Sequence, residues 1–435
     1  MNLAAHLAAS VRLVKNRSVR AAGTYFASTL INALVPFLLL PVMTRLMDPS
    51  DYGRAAMFQS ICYIASTLSG FAMRTPLMRF FAISGRAERR DYLASNMAIS
   101  GLLAAVTVLA CLAAIKPISE LTGLSVFWVI LAALTGVVTT LSQIYLTVLQ
   151  TDDRALSYSL FQIGITMANI AISLVLMIAC SLSWQGRNLG VVLSTVIGAV
   201  FAMSVLMWRH DIGRVKREYV LDSLTLGAAG MPHTFANALI SYADRFFLSG
   251  AYSMSEVGLY SVSSRLAQGY YFLGSSLNLA LSPWAFRQLG AMKTEKDVRR
   301  LITIAVRLMA LMTVAAVLFY LFVVVVIEVI LPAKYAGALL FVPWLMGAAY
   351  FNTIYFVVVQ PIFFYRQVRV LSISGLFICV SGLAMIYGFS ALFGPIGVAM
   401  GMFGSRFILF AVAAIFGTRL VMQNLPRQPK DEAVN

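Results

Sequence analysis

Six arginines, Arg74, Arg79, Arg245, Arg265, Arg307 and Arg406, fall inside long apolar runs of the sequence. Only Asp244 lies well inside such a run to offset them, with Glu328 near the end of another. An ionised side chain at the centre of a bilayer costs at least about 2.5–3.5 kcal/mol, so a surplus of intramembrane guanidinium calls for an anion. Guanidinium suits an oxyanion because its planar fork holds two oxygens at once and keeps its charge in a low dielectric. The chemistry on offer is the binding of an oxyanion. Hydrolysis and ATP-driven pumping have no visible machinery, since HExxH, GxSxG, Walker A and paired-carboxylate arrangements do not occur.

Depth separates these arginines. Arg79 and Arg307 sit about one turn from the ends of their runs and can reach the interface. Arg74 is deeper. Asp244 and Arg245 suit a helix-packing pair as well as a ligand; as sequence neighbours they do not face each other on a helix, so each is expected to find its own partner. Arg265 and Arg406 fall nearest the middle of their runs and are the leading anion ligands. Asn32, Asn237, Gln59 and Gln268 on the same runs supply hydrogen-bonding groups for a polar cargo, and Tyr270 and Tyr271 supply aromatic faces. His233, after Pro232, reads as a helix-end residue. Cys62, Cys111, Cys180 and Cys379 have no ligand spacing and read as small buried hydrophobes, so neither a metal nor a cofactor is expected.

The elements that must position these groups are membrane helices. The chain has 435 residues, 60% of them hydrophobic and 11% charged, and a mean hydropathy of +0.84. Soluble domains run at roughly 25% charged, so a soluble enzyme is excluded. At about 20 residues per crossing the length holds roughly a dozen helices. Runs that can cross lie near 21–43, 55–80, 93–115, 126–149, 158–180 and 189–208, then near 225–249, 257–282, 303–330, 338–363, 370–391 and 395–417. Residues 1–20 read as an amphipathic surface helix, with Leu3, Leu7, Val11 and Val14 on one face. No signal-peptide cleavage site is expected before Asp48.

The formal net charge of +16 would suggest a nucleic-acid partner in a soluble chain. Here it is topological. With twelve spans, alternate connections and both ends hold twenty-two Lys and Arg, against five on the opposite side. The positive-inside bias puts both termini in the cytoplasm of a cytoplasmic (inner) membrane protein and removes nucleic acid as a partner. The basic stretch 209–224 at the midpoint reads as a cytoplasmic linker between an N-lobe, 21–208, and a C-lobe, 225–417, ahead of a tail at 418–435.

An offset of 205 residues aligns Thr29, Asn32, Ala33 and Leu34 with Thr234, Asn237, Ala238 and Leu239. The same offset aligns Ser50, Asp51 and Gly53 with Ser255, Glu256 and Gly258. Six spans per half make this a parallel repeat, an architecture of secondary transporters whose site lies between the halves.

The stretch Tyr25 to Gly53, with Asn-Ala-Leu-Val-Pro-Phe, Leu-Pro-Val-Met-Thr-Arg and Asp-Pro-Ser-Asp-Tyr-Gly, resembles the polysaccharide flippases, the Wzx-like members of the MOP exporter superfamily. Tyr242-Ala-Asp-Arg-Phe-Phe-Leu followed by Glu256-Val-Gly-Leu-Tyr is similar to that family's seventh-span pattern. The resemblance implies an all-α integral membrane protein of about twelve transmembrane helices, in two six-helix lobes related by pseudo-two-fold symmetry. It implies no enzyme, but a flippase moving undecaprenyl-diphosphate-linked oligosaccharide from the inner to the outer leaflet by alternating access. The implied partners are the lipid-linked oligosaccharide, the lipid bilayer and other polysaccharide-assembly membrane proteins, with coupling to a proton, a sodium ion or the membrane potential left open. An exporter of another amphiphile, lipid II or a drug, is the alternative. A membrane glycosyltransferase or polymerase is less expected, because every outer connection is short.

Overall fold

The computed structural model describes residues 31, 37–70, 73–209, 211–292, 294–365 and 368–423, and all regular structure among them is helical. The amphipathic segment 1–20, Asn32, and the tail beyond residue 423 lie outside the described residues, as do the side chains of Asn237 and His233.

In chain order the helices are α1 (Phe37–Leu46), α2 (Pro49–Gly70), α3 (Arg74–Ile83), α4 (Arg86–Ala113), α5 (Ile115–Thr122), α6 (Val126–Thr151), α7 (Ala155–Ile178) and α8 (Trp184–Trp208). Then follow α9 (Arg217–Ala251), α10 (Met254–Ala291), α11 (Glu295–Val325), α12 (Val342–Val358), α13 (Gln360–Phe364), α14 (Val368–Phe393) and α15 (Pro395–Gln423). Each run expected from 55–80 onward coincides with helix. The run 55–80 is two helices, α2 and α3, bent by 45°, and the run 338–363 contains a 55° bend before α12. Among the described residues six helices are long and apolar enough to cross a membrane, or eight if each bent pair is one crossing. The protein is therefore a multi-pass, all-α membrane protein.

By contact density the chain divides into one unit over residues 1–261 and another over 262–435. In the first, α6 is central and packs against α2 and α8. Its small residues Ala132, Ala133, Thr135 and Gly136 are buried, and a Cβ on Gly136 would overlap the Cys62 carbonyl of α2, so the two backbones touch. Close approach through small residues is how helices gain packing energy where lipid supplies no hydrophobic drive. An apolar cluster built on Leu77, Tyr92, Tyr145, Leu149 and Leu206 closes one end of the unit, where the Phe80 and Tyr92 rings stack at 3.8 Å. Helix α9 lies on α2, α3, α4 and α5, and Tyr242 meets Tyr63 ring to ring at 4.7 Å.

The 205-residue repeat has a structural counterpart here. A Cβ on Gly53 would overlap the Met254 carbonyl oxygen, and one on Gly258 would overlap that of Pro49. Pro49 and Met254 are themselves separated by the same offset, so the first turns of α2 and α10 cross through a reciprocal backbone contact. Both turns follow a cap-x-Ser-acid-x-Gly pattern. At α10 the Ser253 amide donates to the Glu256 carboxylate at 3.0 Å and the Glu256 amide donates back to Ser253 Oγ at 3.3 Å, a capping box. At α2 Asp51 instead accepts from Arg54 at 2.9 Å and from Ser183 at 2.6 Å.

The expected linker 209–224 is anchored. Its residues 211–216 run along the start of α4, where the Gly213 amide donates to the Arg90 carbonyl at 3.0 Å and the Lys216 amide to Ser95 Oγ at 3.0 Å. The Arg214 amide and the Lys216 ammonium both reach the Asp91 carboxylate, at 2.8 and 2.9 Å. That carboxylate holds the exposed Lys216 ammonium above its ordinary pKa. Helix α9 then starts at Arg217, ahead of the expected 225.

In the second unit α15 packs on α14 and α12. Gly397, Gly401 and Gly404 form the seam, since a Cβ at each would collide with Phe389, Ile386 or Met385 of α14. Of the four cysteines Cys379 is buried as expected, whereas Cys180 is exposed just past the end of α7.

Candidate functional site

The 45° bend between α2 and α3 brings Arg74 to the first position of α3, beside a cavity of about 180 Å³ in the first unit. The Arg74 guanidinium donates from Nη2 to Gln150 Oε1 at 2.7 Å. Ser66, Thr67, Asn96, Thr140, Gln143 and Thr147 share the cavity wall with it. Several of these hydroxyls are tied to their own helices; Thr140 meets Ser69 across the α2–α6 contact at 2.7 Å, and Thr147 donates to the Gln143 carbonyl at 2.8 Å. Asn96 is fully buried on α4, its Nδ2 donating weakly to Met73 Sδ at 3.5 Å, and its Oδ1 has no partner among the described residues. The cavity therefore presents one cation, two primary amides and a ring of hydroxyls. That set suits hydroxylated and anionic groups.

Of the expected site residues whose side chains are described, only Arg74 lies on this cavity. Gln59 sits half-buried on α2. Asp244 is 2% exposed and Arg245 8% exposed, packed on α9. Asp244 accepts from the Tyr260 hydroxyl at 2.5 Å and from the Arg245 amide at 2.8 Å. The expectation that sequence neighbours would not meet is corrected here: Arg245 Nη1 lies 3.5 Å from Asp244 Oδ1 while also reaching the Ser241 carbonyl at 3.1 Å and the Tyr242 ring. The long guanidinium stem folds back along the helix, so adjacency does not forbid contact. Both side chains are thus buried among partners of the first unit.

In the second unit Arg265 and Gln268 stand three residues apart on one face of α10, both half-buried. Arg406 is half-buried on α15. Beside it Phe351 of α12 packs against Phe403, Phe407 and Phe410. A separate cavity of about 280 Å³ opens among α10, α11, α13 and α15, with Trp284, Ala305, Met309, Phe410 and Ala414 in its wall and Gln360 and Thr418 among its few polar groups. Gln360 is held by Asn278 at 2.9 Å.

Asn96, Gln143 and Gln150 are the residues that sequence reasoning passed over. The signal available was a side-chain amide inside an apolar run; what brings them to Arg74 is packing between helices far apart in the chain. No group of three or more His, Cys, Asp or Glu suited to a metal occurs among the described residues.

The fold is that of the MOP superfamily. It matches an inward-facing multidrug resistance MATE family transporter with a TM-score of 0.68 at 15% identity, covering 91% of this chain and 98% of that one. It matches the lipid II flippase MurJ in an inward closed conformation with a TM-score of 0.69 at 13% identity, covering 92% and 88%. A family model described as polysaccharide biosynthesis protein matches residues 18–288, more than half of the sequence, and the chain belongs to that family. A protein of the Lsg locus of Haemophilus influenzae is 21% identical over 355 residues, 80% of this chain and 85% of that protein. An uncharacterized membrane protein of the same species is 24% identical over 297 residues, 66% of this chain and 69% of that one.

Proposed function

We propose that the protein is a flippase for a polyprenyl-diphosphate-linked oligosaccharide, moving it from the inner to the outer leaflet of a bacterial cytoplasmic membrane by alternating access. Membership of a polysaccharide biosynthesis family on a MOP fold supports transport of a saccharide precursor. The observation that carries the reading furthest is the cavity in which Arg74 stands among Gln143, Asn96 and hydroxyls, because a diphosphate wants guanidinium and a sugar wants amides and hydroxyls. The apolar cavity of the second unit suits an isoprenoid chain, so the two units carry the two kinds of surface an amphiphile needs. Arg265 and Arg406 remain candidates for phosphate contacts in the second unit, with Gln268 beside them. The excess of Lys and Arg on one side orients both termini to the cytoplasm. A lipid II or drug exporter would reuse the same fold; the family match favours the saccharide.

The test is surface polysaccharide per folded molecule in cells carrying Arg74→Ala, Arg265→Ala or Arg406→Ala. Export that falls while the amount of folded protein holds supports the assignment. Normal polymer per molecule in all three variants overturns it. Labelling a cysteine placed at Arg214 with an impermeant reagent tests the orientation, and strong labelling of intact cells would reverse it.

A further inference from the structure

Where α3, α6 and α8 end and α4 begins, the first unit holds a second polar cavity of about 180 Å³, separate from the one at Arg74. Arg89, Arg90 and Arg209 line it together with Asp152 and Asp211. Arg89 Nη1 stands 3.7 Å from Asp152 Oδ1 and Arg209 Nε 3.4 Å from Asp211 Oδ2. Arg89 is fixed in place by donating Nε to the Ser84 carbonyl at 2.8 Å and by lying over the Phe81 ring. Arg90 differs. Its Nε is buried and has no partner among the described residues. The rest of the wall is apolar, from Phe81, Leu93 and Val148.

We infer that this cavity binds the phosphate of a monoanionic phospholipid headgroup. Three guanidiniums less two carboxylates leave one formal positive charge in the wall, which matches a phosphodiester rather than a phosphate dianion. The orphaned Nε of Arg90 is a donor in need of an acceptor, and a phosphate oxygen supplies one with charge assistance. The site lies at shared helix ends, the level at which headgroups sit, and its apolar wall of Phe81, Leu93 and Val148 belongs to the buried core of the unit, which leaves the cavity for the headgroup phosphate. The C-terminal ends of α3, α6 and α8 attract cations by themselves. That accounts for a basic residue here; it does not account for a donor buried with nothing to bond.

The test uses the full-length protein in phosphatidylcholine nanodiscs, with thermal unfolding and native mass spectrometry read as phosphatidylglycerol is titrated in. Wild type should retain phosphatidylglycerol, and Arg90→Gln and Arg209→Gln should weaken retention about tenfold, the loss of one charge-assisted bond. Lys116→Gln, which removes an exposed charge elsewhere, should leave it unchanged. Arg90→Lys, kept in case the glutamine variant folds poorly, should fall in between. Inorganic phosphate is the second arm. If phosphate protects wild type through the same arginines and phosphatidylglycerol does not, the oxyanion is soluble and the lipid assignment falls. If neither probe separates wild type from the variants, the arginines serve only an ion network and the inference is overturned. Because this cavity shares no lining residue with the one at Arg74, either result leaves the transport proposal standing on its own test.

Discussion

The cavity at Arg74 and the cavity at Trp284 are built from helices of the same kind, yet one sets a guanidinium, amides and hydroxyls among Met73, Leu77 and Ile144 and the other is almost wholly hydrocarbon. The difference shows where each helix spends its polar residues. In α6 they recur as Thr140, Gln143 and Thr147, at helical spacing, so one face stays polar while Ala132, Ala133 and Gly136 pack. In α15 the small residues Gly397, Gly401 and Gly404 go to the seam with α14, and the stretch from Phe410 to Val421 lines the cavity with little polarity. A polar cavity in a bilayer protein is expensive to keep, so it is evidence of a ligand; an apolar one is the default and needs its own test.

The sharpest way to break the comparison is to swap the character of the apolar side. Ala414→Asp places a carboxylate in the second unit's cavity, where an ionised group costs about 2.5–3.5 kcal/mol. The amount of folded protein in the membrane should drop severely, whereas Ala414→Leu should leave it near wild type. Equal yields from both would mean that the cavity is wet. Next in size is Arg74→Ala, which deletes the cation and its bond to Gln150. Export per folded molecule should fall roughly tenfold to a hundredfold, the loss of about 1.5–3 kcal/mol of charge-assisted bonding, with Arg74→Lys recovering part because it keeps charge without the fork. Arg406→Ala makes the matching cut in the second unit. A smaller loss there than at Arg74 would place the phosphate contacts mainly in the first unit, and an equal loss would spread them over both.

Much of this organisation is readable from the chain. The long helices past residue 55 follow from hydropathy alone, and the repeat at 205 residues is legible because the pattern Ser-acid-x-Gly recurs at Ser50 to Gly53 and Ser255 to Gly258. The reciprocal contact of Gly53 and Gly258 then has a plain cause, since only hydrogen fits where one helix start meets the carbonyl of the other. What composition hides is long-range. Arg74 finds Gln150 from 76 residues away and Asp91 finds the Arg214 amide from 123, and neither pairing leaves a local trace. The bend that carries Arg74 to its place falls inside one continuous apolar run. Arg245 and Asp244 were visible as charges, but their burial against Tyr260 and Tyr242 is a product of how α9 and α10 fold together.

The finest distinction between the two cavities rests on Asn96. A buried amide whose Oδ1 lacks a partner among the described residues is a liability of about 1–3 kcal/mol for folding, and its Nδ2 bond to a thioether returns little. If the Arg74 cavity were merely a packing defect, replacing Asn96 with Leu would remove that liability and change nothing else. If the amide is held in readiness for a cargo hydroxyl, the same replacement should leave thermal stability equal to wild type or slightly above it while export per folded molecule falls several-fold. Stability and transport then move in opposite directions, which a purely structural residue cannot do. Measuring both on Asn96→Leu, with Asn96→Gln as a polar control, decides the matter. Unchanged export in the leucine variant would reduce the polar wall to an accident of packing and leave Arg74 as the one residue of that cavity with a claim on the cargo.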